Sequence, residues 1–581
     1  MYLEKITSPK DIKSFTVKQL GELAKEIRNG VLNRDSNIGG HVGPNLGIVE
    51  ATIAMHYVFN CGEDKFVFDV SHQSYPHKML TGRAYGYIDD SRLNEVSGYS
   101  SPAESPVYDT FELGHTSTSI SLATGLQKAR DIRGGKENIV AVIGDGSLSG
   151  GEAMEGLDEA AELGTGIIIV VNDNEMSIAE NHGGIYKNLE LLRQTDGKAE
   201  RNWFKAFGLD YEYVADGNDL EALIDIFNKV KDTDRPTVVH IHTEKGMGYA
   251  PAMEHKEEWH WSMPFDIETG KPKQEAGGED WGDMTGQYLL QEMKNDPLLV
   301  AVTSGTPTVA GFFSNRREEA GKQFVDVGIA EEQAVAMISG MAKGGLHPVY
   351  NVYATFLQRT YDQLAQDLCI NGNPALINVF WGSVNGMNDI THIGFYEIPM
   401  LSNIPGLVYL APTCWEEYKA MMAWGIKQQE YPVAIRVPAG PVTHSDEEFD
   451  TDYSVLNRFK TVRKGEKVAF IGVGAYLGLA IEAADRLKAE KGIEATVISP
   501  RYLSGLDEET LEALKNSHDT VVTLEDGAIE GGFGEKIARF YGDSSVRVLV
   551  RGVKKGLYDR YDFRQIAVDN GLTAEQIVES L

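Results

Sequence analysis

The chain has 581 residues, 42% of them apolar and 24% charged, which is enough for two to four globular domains. Its net charge of −32 argues against nucleic acid and anionic membranes as partners, because both need a basic surface. Cys61, Cys369 and Cys414 are widely spaced and form no disulfide framework, the N-terminus lacks a signal-type apolar core, and no apolar run is long enough to span a bilayer, so a cytoplasmic location is expected.

In chain order, Leu20, Leu23, Ala24 and Ile27 share one face of a helix predicted between Thr16 and Val31. The glycine-rich run Gly39–Gly47 follows, with His41 in its middle; its glycines let backbone approach a ligand. Phe66–Val70 reads as a strand, with His72 just beyond its end; His77 is read as structural. Gly114-His-Thr-Ser-Thr-Ser119 opens a helix whose N-terminus suits a diphosphate or a plain cap.

The apolar runs Asn138–Ile143 and Ile167–Val171 read as buried parallel strands. The first ends in Gly144-Asp-Gly146, the second in Asn172-Asp-Asn174. In a strand–helix–strand unit, Asp145 and Asn174 then lie at the carboxyl ends of neighbouring strands, where open α/β sheets bind ligands. A carboxylate, an amide oxygen and a nearby backbone carbonyl suit Mg²⁺ carrying a diphosphate.

Val238–Thr243 is a further strand, and residues from about 250 to 280 read as a polar linker. A strand ends at Gly328 and a helix begins near Glu331; Val433–Arg436 is a strand ending in a candidate anion clamp. Ser445–Asp452 is a second charged boundary, and strand–helix–strand patterning resumes at Lys467. Gly472–Gly478 reads as a tight turn, because its glycine spacing departs from the dinucleotide pattern.

These stretches resemble the transketolase-like thiamine diphosphate enzymes, and the wording Asn172-Asp-Asn-Glu-Met-Ser-Ile178 is most similar to the 1-deoxy-D-xylulose-5-phosphate synthases among them. The resemblance runs from about residue 10 to the C-terminus. It implies an α/β protein of three domains: a diphosphate-binding domain over 1–280, an aminopyrimidine-binding domain over 281–450, both built on parallel sheets, and a smaller C-terminal α/β domain over 451–581. It also implies thiamine diphosphate, Mg²⁺, small-molecule substrates and a homodimer. Asp145, Asn174 and Met176 would hold the metal. His72, Gly114, His115, Thr116, Gly146, Ser147, Asn174, Tyr249, Glu331 and Phe356 would contact the cofactor. Glu331 would hydrogen-bond the aminopyrimidine and drive its acid–base chemistry. His41, His260, His392, Tyr353, Arg359, Arg436 and Asp389 would serve the substrates.

Three departures from the synthase pattern bear on the acceptor. Trp381 stands where the resembled enzymes carry an arginine expected to grip a phosphate, and an indole does not replace a guanidinium fork. Asn388 stands in place of an aspartate, with Asp389 adjacent, and residues 96–105 are shortened. The resemblance thus implies two-carbon transfer to an aldehyde, foremost from pyruvate to D-glyceraldehyde 3-phosphate. Ketol transfer of the transketolase type, another aldehyde acceptor and cofactor binding without catalysis are the competing readings.

Overall fold

Five runs near the start of the chain become strands: β1 (Lys65–Phe68), β2 (Ile139–Gly144), β3 (Ile167–Asp173), β4 (Asp210–Val214) and β5 (Pro236–His242). They pair in the order β1-β2-β3-β5-β4, all parallel. The unbroken Ile/Val runs of β2 and β3 are buried along nearly their whole length, as a sheet covered on both faces requires. The helix Gly151–Leu163 crosses between them and stops at Gly164, whose φ of +66° is a left-handed cap.

The predicted first helix spans Val17–Ile38. It starts where Thr16 and Gln19 form a reciprocal capping box, and it buries Leu20, Leu23, Ala24 and Ile27.

The computed structural model describes residues 1–274 and 277–581. These fall into two compact units, Met1–Ala276 with Gly328–Ala330, and Gly277–Val327 with Glu331–Leu581. The first unit carries the β1–β5 sheet.

The second unit carries two sheets. One contains β6 (Leu299–Thr303), β7 (Phe324–Asp326), β8 (His347–Tyr353), β9 (Leu376–Phe380), β10 (Val408–Leu410) and β11 (Val433–Arg436). Its order is β10-β11-β9-β8-β6-β7, parallel throughout. The other contains β12 (Lys460–Arg463), β13 (Lys467–Gly472), β14 (Thr496–Ser499), β15 (His518–Ala528) and β16 (Arg547–Val553). It is ordered β12-β14-β13-β15-β16, with only β12 antiparallel. Ile377 and Val379 of the first share one apolar core with Ile471 and Ile498 of the second, so the two sheets behave as one unit. Three α/β layers are therefore present, as the resemblance implies.

The stretch from 250 to 280, expected to be a polar linker, is largely exposed over its described length but is pinned at a few points. Trp259 and Phe265 are buried and meet edge to face at 4.7 Å. Gly43 N donates to Trp259 O at 2.8 Å and Phe265 N to Ser36 O at 3.1 Å. Two aromatic side chains outweigh the charges around them, because each buries far more apolar area than a charge needs to stay solvated. Glu275 and Ala276, in the same stretch, lie outside the described residues. The cysteines are unpaired and buried, and among the described residues no helix is long and apolar enough to cross a membrane.

Candidate active site

In the first unit the carboxyl ends of β1, β2 and β3 gather the expected polar groups. Asp145 follows β2 and is fully buried; its Oδ2 accepts from Asn181 Nδ2 at 2.6 Å. Burial, reinforced by the neighbouring Asp173, pushes the Asp145 carboxyl well above the ordinary range. Asp173 itself is held ionised, against its burial, by His240 and Arg193. Asn174 Oδ1 accepts only a long bond, 3.3 Å, from Met176 N.

A hard divalent cation fits this donor set. It would supply the positive charge a buried carboxylate wants, and Asp145, the Asn174 amide oxygen and the Met176 carbonyl are all oxygen donors. The Asn181 Oδ1 and Gln73 Nε2 atoms are buried without a partner, which marks this region as built for a further polar group. A Cβ on Gly146 would stand 2.9 Å from Ser177 Oγ, so the turn after Asp145 requires glycine, whereas at Gly144 a Cβ would meet open space.

The loop Gly114–Thr118 precedes the helix Ser119–Arg133. Ser117 adopts φ +74° and its hydroxyl donates to Ser147 O at 2.8 Å, tying this loop to the turn after β2. Two donors at this helix N-terminus are already in use. The N–H groups of Ser117 and Ser119 already donate to the buried Asp69 carboxylate, at 2.8 and 3.0 Å. A second anion on those donors would face Asp69 at close range. Gly114, His115 and Thr116 lie upstream of that cap.

His41, His72 and His260, far apart in sequence, converge. Their ring centroids are 5.1 Å (41–72), 5.6 Å (41–260) and 5.4 Å (72–260) apart. Burial, with Lys245 and the other two rings beside it, pushes His260 far below its ordinary value, so it is neutral at pH 7. Lys245 Nζ donates to Ser177 O at 2.7 Å and lies 3.2 Å from His260 Nδ1; burial pushes it down to about 7, with Asp145 opposing.

Asn45 fixes the first two histidines. Its buried amide donates to both His41 O and His72 O at 2.7 Å and accepts from Tyr75 N at 3.0 Å. His77 is structural, as expected, bonded to His56 at 3.0 Å and to Asp109 at 2.9 Å. Tyr249, expected at the cofactor, is committed elsewhere. Its hydroxyl donates to Ile267 O at 3.1 Å and its ring packs 5.1 Å from Trp259.

In the second unit Glu331 opens the helix Glu331–Lys343 and is 2% exposed. Burial pushes its carboxyl up to about 7, although Arg359 lies 3.6 Å away. Glu331 Oε2 is buried without a hydrogen-bond partner. Such an orphaned oxygen fits a ring nitrogen of an aminopyrimidine, which would complete it. Phe356 stands near by in sequence and chemistry, with its ring 5.7 Å from both Tyr353 and His392. Trp381 lies 5.0 Å from Tyr353, is 41% exposed and takes the left-handed φ of +58°. His392 Nδ1 is 3.1 Å from Asp389 Oδ1; against burial, bonds from His392 and Thr391 hold Asp389 at about 2, hence ionised.

Arg436 does not act as the expected anion clamp. It is 4% exposed, and its guanidinium donates to Glu397, Asp526 and the Gly382 carbonyl. Each of its three nitrogens already donates inside the protein, which leaves no free fork for a bidentate grip on a substrate phosphate. The partners sit 39 and 90 residues away, and no local motif announces them. Asn45, Asp69 and Asn181 were likewise silent as site-builders: each is an ordinary polar residue until the fold buries it.

A family model for 1-deoxy-D-xylulose-5-phosphate synthase matches residues 3–200 and 194–243. Models for the transketolase pyrimidine-binding and C-terminal domains match 278–443 and 457–577. The chain is 35% identical over 620 aligned positions to 1-deoxy-D-xylulose-5-phosphate synthase of Desulforudis audaxviator (strain MP104C), covering 100% of this chain and 96% of that protein. It is 36% identical to 1-deoxy-D-xylulose-5-phosphate synthase 2 of Geobacter sulfurreducens, covering 94% and 92%. With relatives matching end to end and a buried glutamate and aspartate where the chemistry needs them, the chain belongs to the 1-deoxy-D-xylulose-5-phosphate synthase family.

Proposed function

We propose that the chain is a thiamine diphosphate-dependent transferase that joins the two-carbon unit of pyruvate to D-glyceraldehyde 3-phosphate, releasing CO₂ and 1-deoxy-D-xylulose 5-phosphate. The observation that carries this reading is Glu331: buried, near neutrality in its affinity for a proton, and with one oxygen lacking a partner. When bound, the cofactor supplies the carbanion-stabilising chemistry that no side chain offers.

The chain's own residues divide the remaining work. In the first unit, Asp145, Asn174 and the Met176 carbonyl hold Mg²⁺, and Gly114, His115, Thr116, Gly146, Ser147 and His72 hold the diphosphate. His41 and His260 orient substrate, with His260 entering as a neutral imidazole. In the second unit, Glu331 holds and releases a proton at its unpaired oxygen, Phe356 offers a flat apolar face, and Tyr353, Arg359 and the Asp389–His392 pair serve the reacting carbonyl groups. Residues 1–280, 281–450 and 451–581 act as diphosphate, pyrimidine and C-terminal domains of a cytoplasmic homodimer.

The test is CO₂ release from pyruvate by the purified protein with thiamine diphosphate and Mg²⁺, with and without D-glyceraldehyde 3-phosphate. Release stimulated by the aldehyde, with a five-carbon deoxyketose phosphate as product, is expected. No release with the cofactor demonstrably bound would overturn it in favour of ketol transfer. One observation favours a second reading, an acceptor aldehyde without a phosphate: Arg436 is engaged internally, and Trp381 sits half exposed beside Tyr353. Comparing phosphorylated and free aldehydes in the same assay separates the two.

A further inference from the structure

The segment that carries Trp381, Asp389 and His392 has little regular structure between the end of β9 and the helix Glu397–Leu401. Its shape is therefore set by what it touches, and much of what it touches belongs to the third sheet and the chain that follows β16. Val384 N donates to Asp526 O at 3.1 Å, and Ala528 N donates to Phe395 O at 3.0 Å. The Tyr561 hydroxyl lies within donating reach of Val384 O at 3.1 Å and Met387 O at 3.2 Å. In return, Asn388 Nδ2 donates to Tyr561 O at 2.9 Å and Ile390 N to Asp559 Oδ1 at 3.3 Å. Tyr396 bonds Gly556 at its carbonyl and its N–H. Val384, Ile393 and Phe395 share an apolar cluster with Val553, Ile566 and Leu572.

Tyr561 is itself anchored. The next residue, Asp562, caps the helix Phe563–Asp569 by accepting from Arg564 N and Gln565 N. Its ring lies 6.3 Å from Phe395. The contacts bracket the Asp389–His392 pair: Asn388 and Ile390, the residues flanking Asp389, are both tied to the 559–561 turn.

We propose that Tyr561 is a positioning residue for the reaction, holding the 384–392 loop so that Asp389 presents His392 in one tautomer and one orientation. This rests on the reading of His392 as a substrate-facing group. The physical demand is plain: a carboxylate–imidazole pair works only while both rings of contacts are held to within a fraction of an ångström, and small misplacement of a catalytic group costs up to about 100-fold. An irregular loop cannot supply that rigidity on its own. The C-terminal domain then contributes to catalysis through geometry, without touching substrate.

The experiment compares Tyr561→Phe, His392→Ala and the double variant in the holoenzyme, with pyruvate and aldehyde turnover, cofactor affinity by calorimetry, thermal melting, and hydrogen exchange of the cofactor-free protein. Tyr561→Phe keeps the ring and removes the hydroxyl. The expected result is faster exchange confined to 384–392, kcat/KM for the aldehyde lowered about tenfold, unchanged cofactor affinity and melting, and no further loss when added to His392→Ala. Unchanged exchange, or the same loss in both backgrounds, overturns the positioning role while leaving the site reading intact. Full activity of His392→Ala overturns the site reading itself. If Tyr561→Phe does not fold, Asn388→Ala removes the neighbouring tie, from the loop amide to the Tyr561 carbonyl, and is read against the same outcomes.

Discussion

Arg359 Nη1 stands 3.6 Å from Glu331 Oε2, close enough to attract the carboxylate and too far for a good hydrogen bond. Burial therefore wins, and the carboxyl rises from an ordinary 4.5 to about 7. A carboxyl with a raised folded value binds its proton more tightly when folded. Its contribution to stability is thus full below about 4.5 and is lost as pH rises through about 7. Glu331→Gln, a neutral isostere, should melt higher than the wild type at pH 8, by up to about 3 kcal/mol of stability, and the gap should close by pH 4. The same variant should bind cofactor yet lose turnover by roughly 100-fold or more. Melting curves across pH and calorimetry beside CO₂ release check both halves; a variant that is no more stable at pH 8, or near-normal in turnover, would remove Glu331 from its assigned role. Arg359→Met takes away the one cation named beside it and should move the Glu331 titration to higher pH.

Asp145 is buried near a second carboxylate, Asp173, and the Asn181 amide and Lys245 only partly offset that repulsion. Asp145→Ala relieves the repulsion and removes an oxygen donor. The Mg²⁺-dependent affinity for thiamine diphosphate should fall by at least the roughly 10–100-fold that loss of an outer partner costs a metal site. Asn174→Ala should act in the same direction and more weakly, since it removes a neutral donor. Calorimetric titration of cofactor at fixed Mg²⁺ measures both. Unchanged affinity in both variants would place the metal elsewhere.

Arg436 stabilises the junction of the two sheets in the second unit by bridging Glu397, on the helix after the site loop, and Asp526, in β15. Arg436→Met would leave two buried carboxylates without their cation. Breaking a buried pair in this way costs about 3–5 kcal/mol. The expected phenotype is a lowered melting temperature with little change in aldehyde KM at temperatures where the protein stays folded. A large KM increase with unchanged melting would restore the anion-clamp role that its position at a strand end suggests.

Much of this was legible in the sequence, and the limits have a physical pattern. The strand–turn pairs at Asp145 and Asn174 could be placed because buried parallel strands are written as unbroken Ile/Val runs, and a residue just past such a run lies at the sheet's carboxyl edge. Glu331 was legible only through the resemblance, because a carboxylate in the first turn of a helix ordinarily does no more than complement the dipole. What stayed hidden depended on side-chain direction. Arg436 ends a strand as expected, yet faces inward because two distant carboxylates attract it. Tyr249 is a cofactor contact by resemblance, yet its ring completes an aromatic cluster with Trp259 and Phe265. That cluster is also why part of the 250–280 stretch is packed: its overall polarity concealed two large apolar side chains. Asn45 left no trace because a single amide in a glycine-rich run carries no periodicity.

Asn45 is the clearest case for a test, since one buried amide satisfies three backbone groups around two of the histidines. Asn45→Ala would orphan the His41 and His72 carbonyls and the Tyr75 N–H together. Each such loss costs roughly 1–3 kcal/mol, partly recovered where the backbone relaxes or admits water. Relaxation is the outcome that matters for catalysis, because it lets the two imidazoles drift relative to each other and to His260. The variant should therefore lose stability modestly and turnover more than proportionately, while Mg²⁺ affinity, which depends on Asp145 and Asn174, stays near its original value. Asn45→Asp keeps the acceptor for Tyr75 N–H and removes both donors, so it should reproduce most of the turnover loss. If both variants lose stability but retain full turnover per folded molecule, the amide is a structural clip only, and the histidines hold their places by packing.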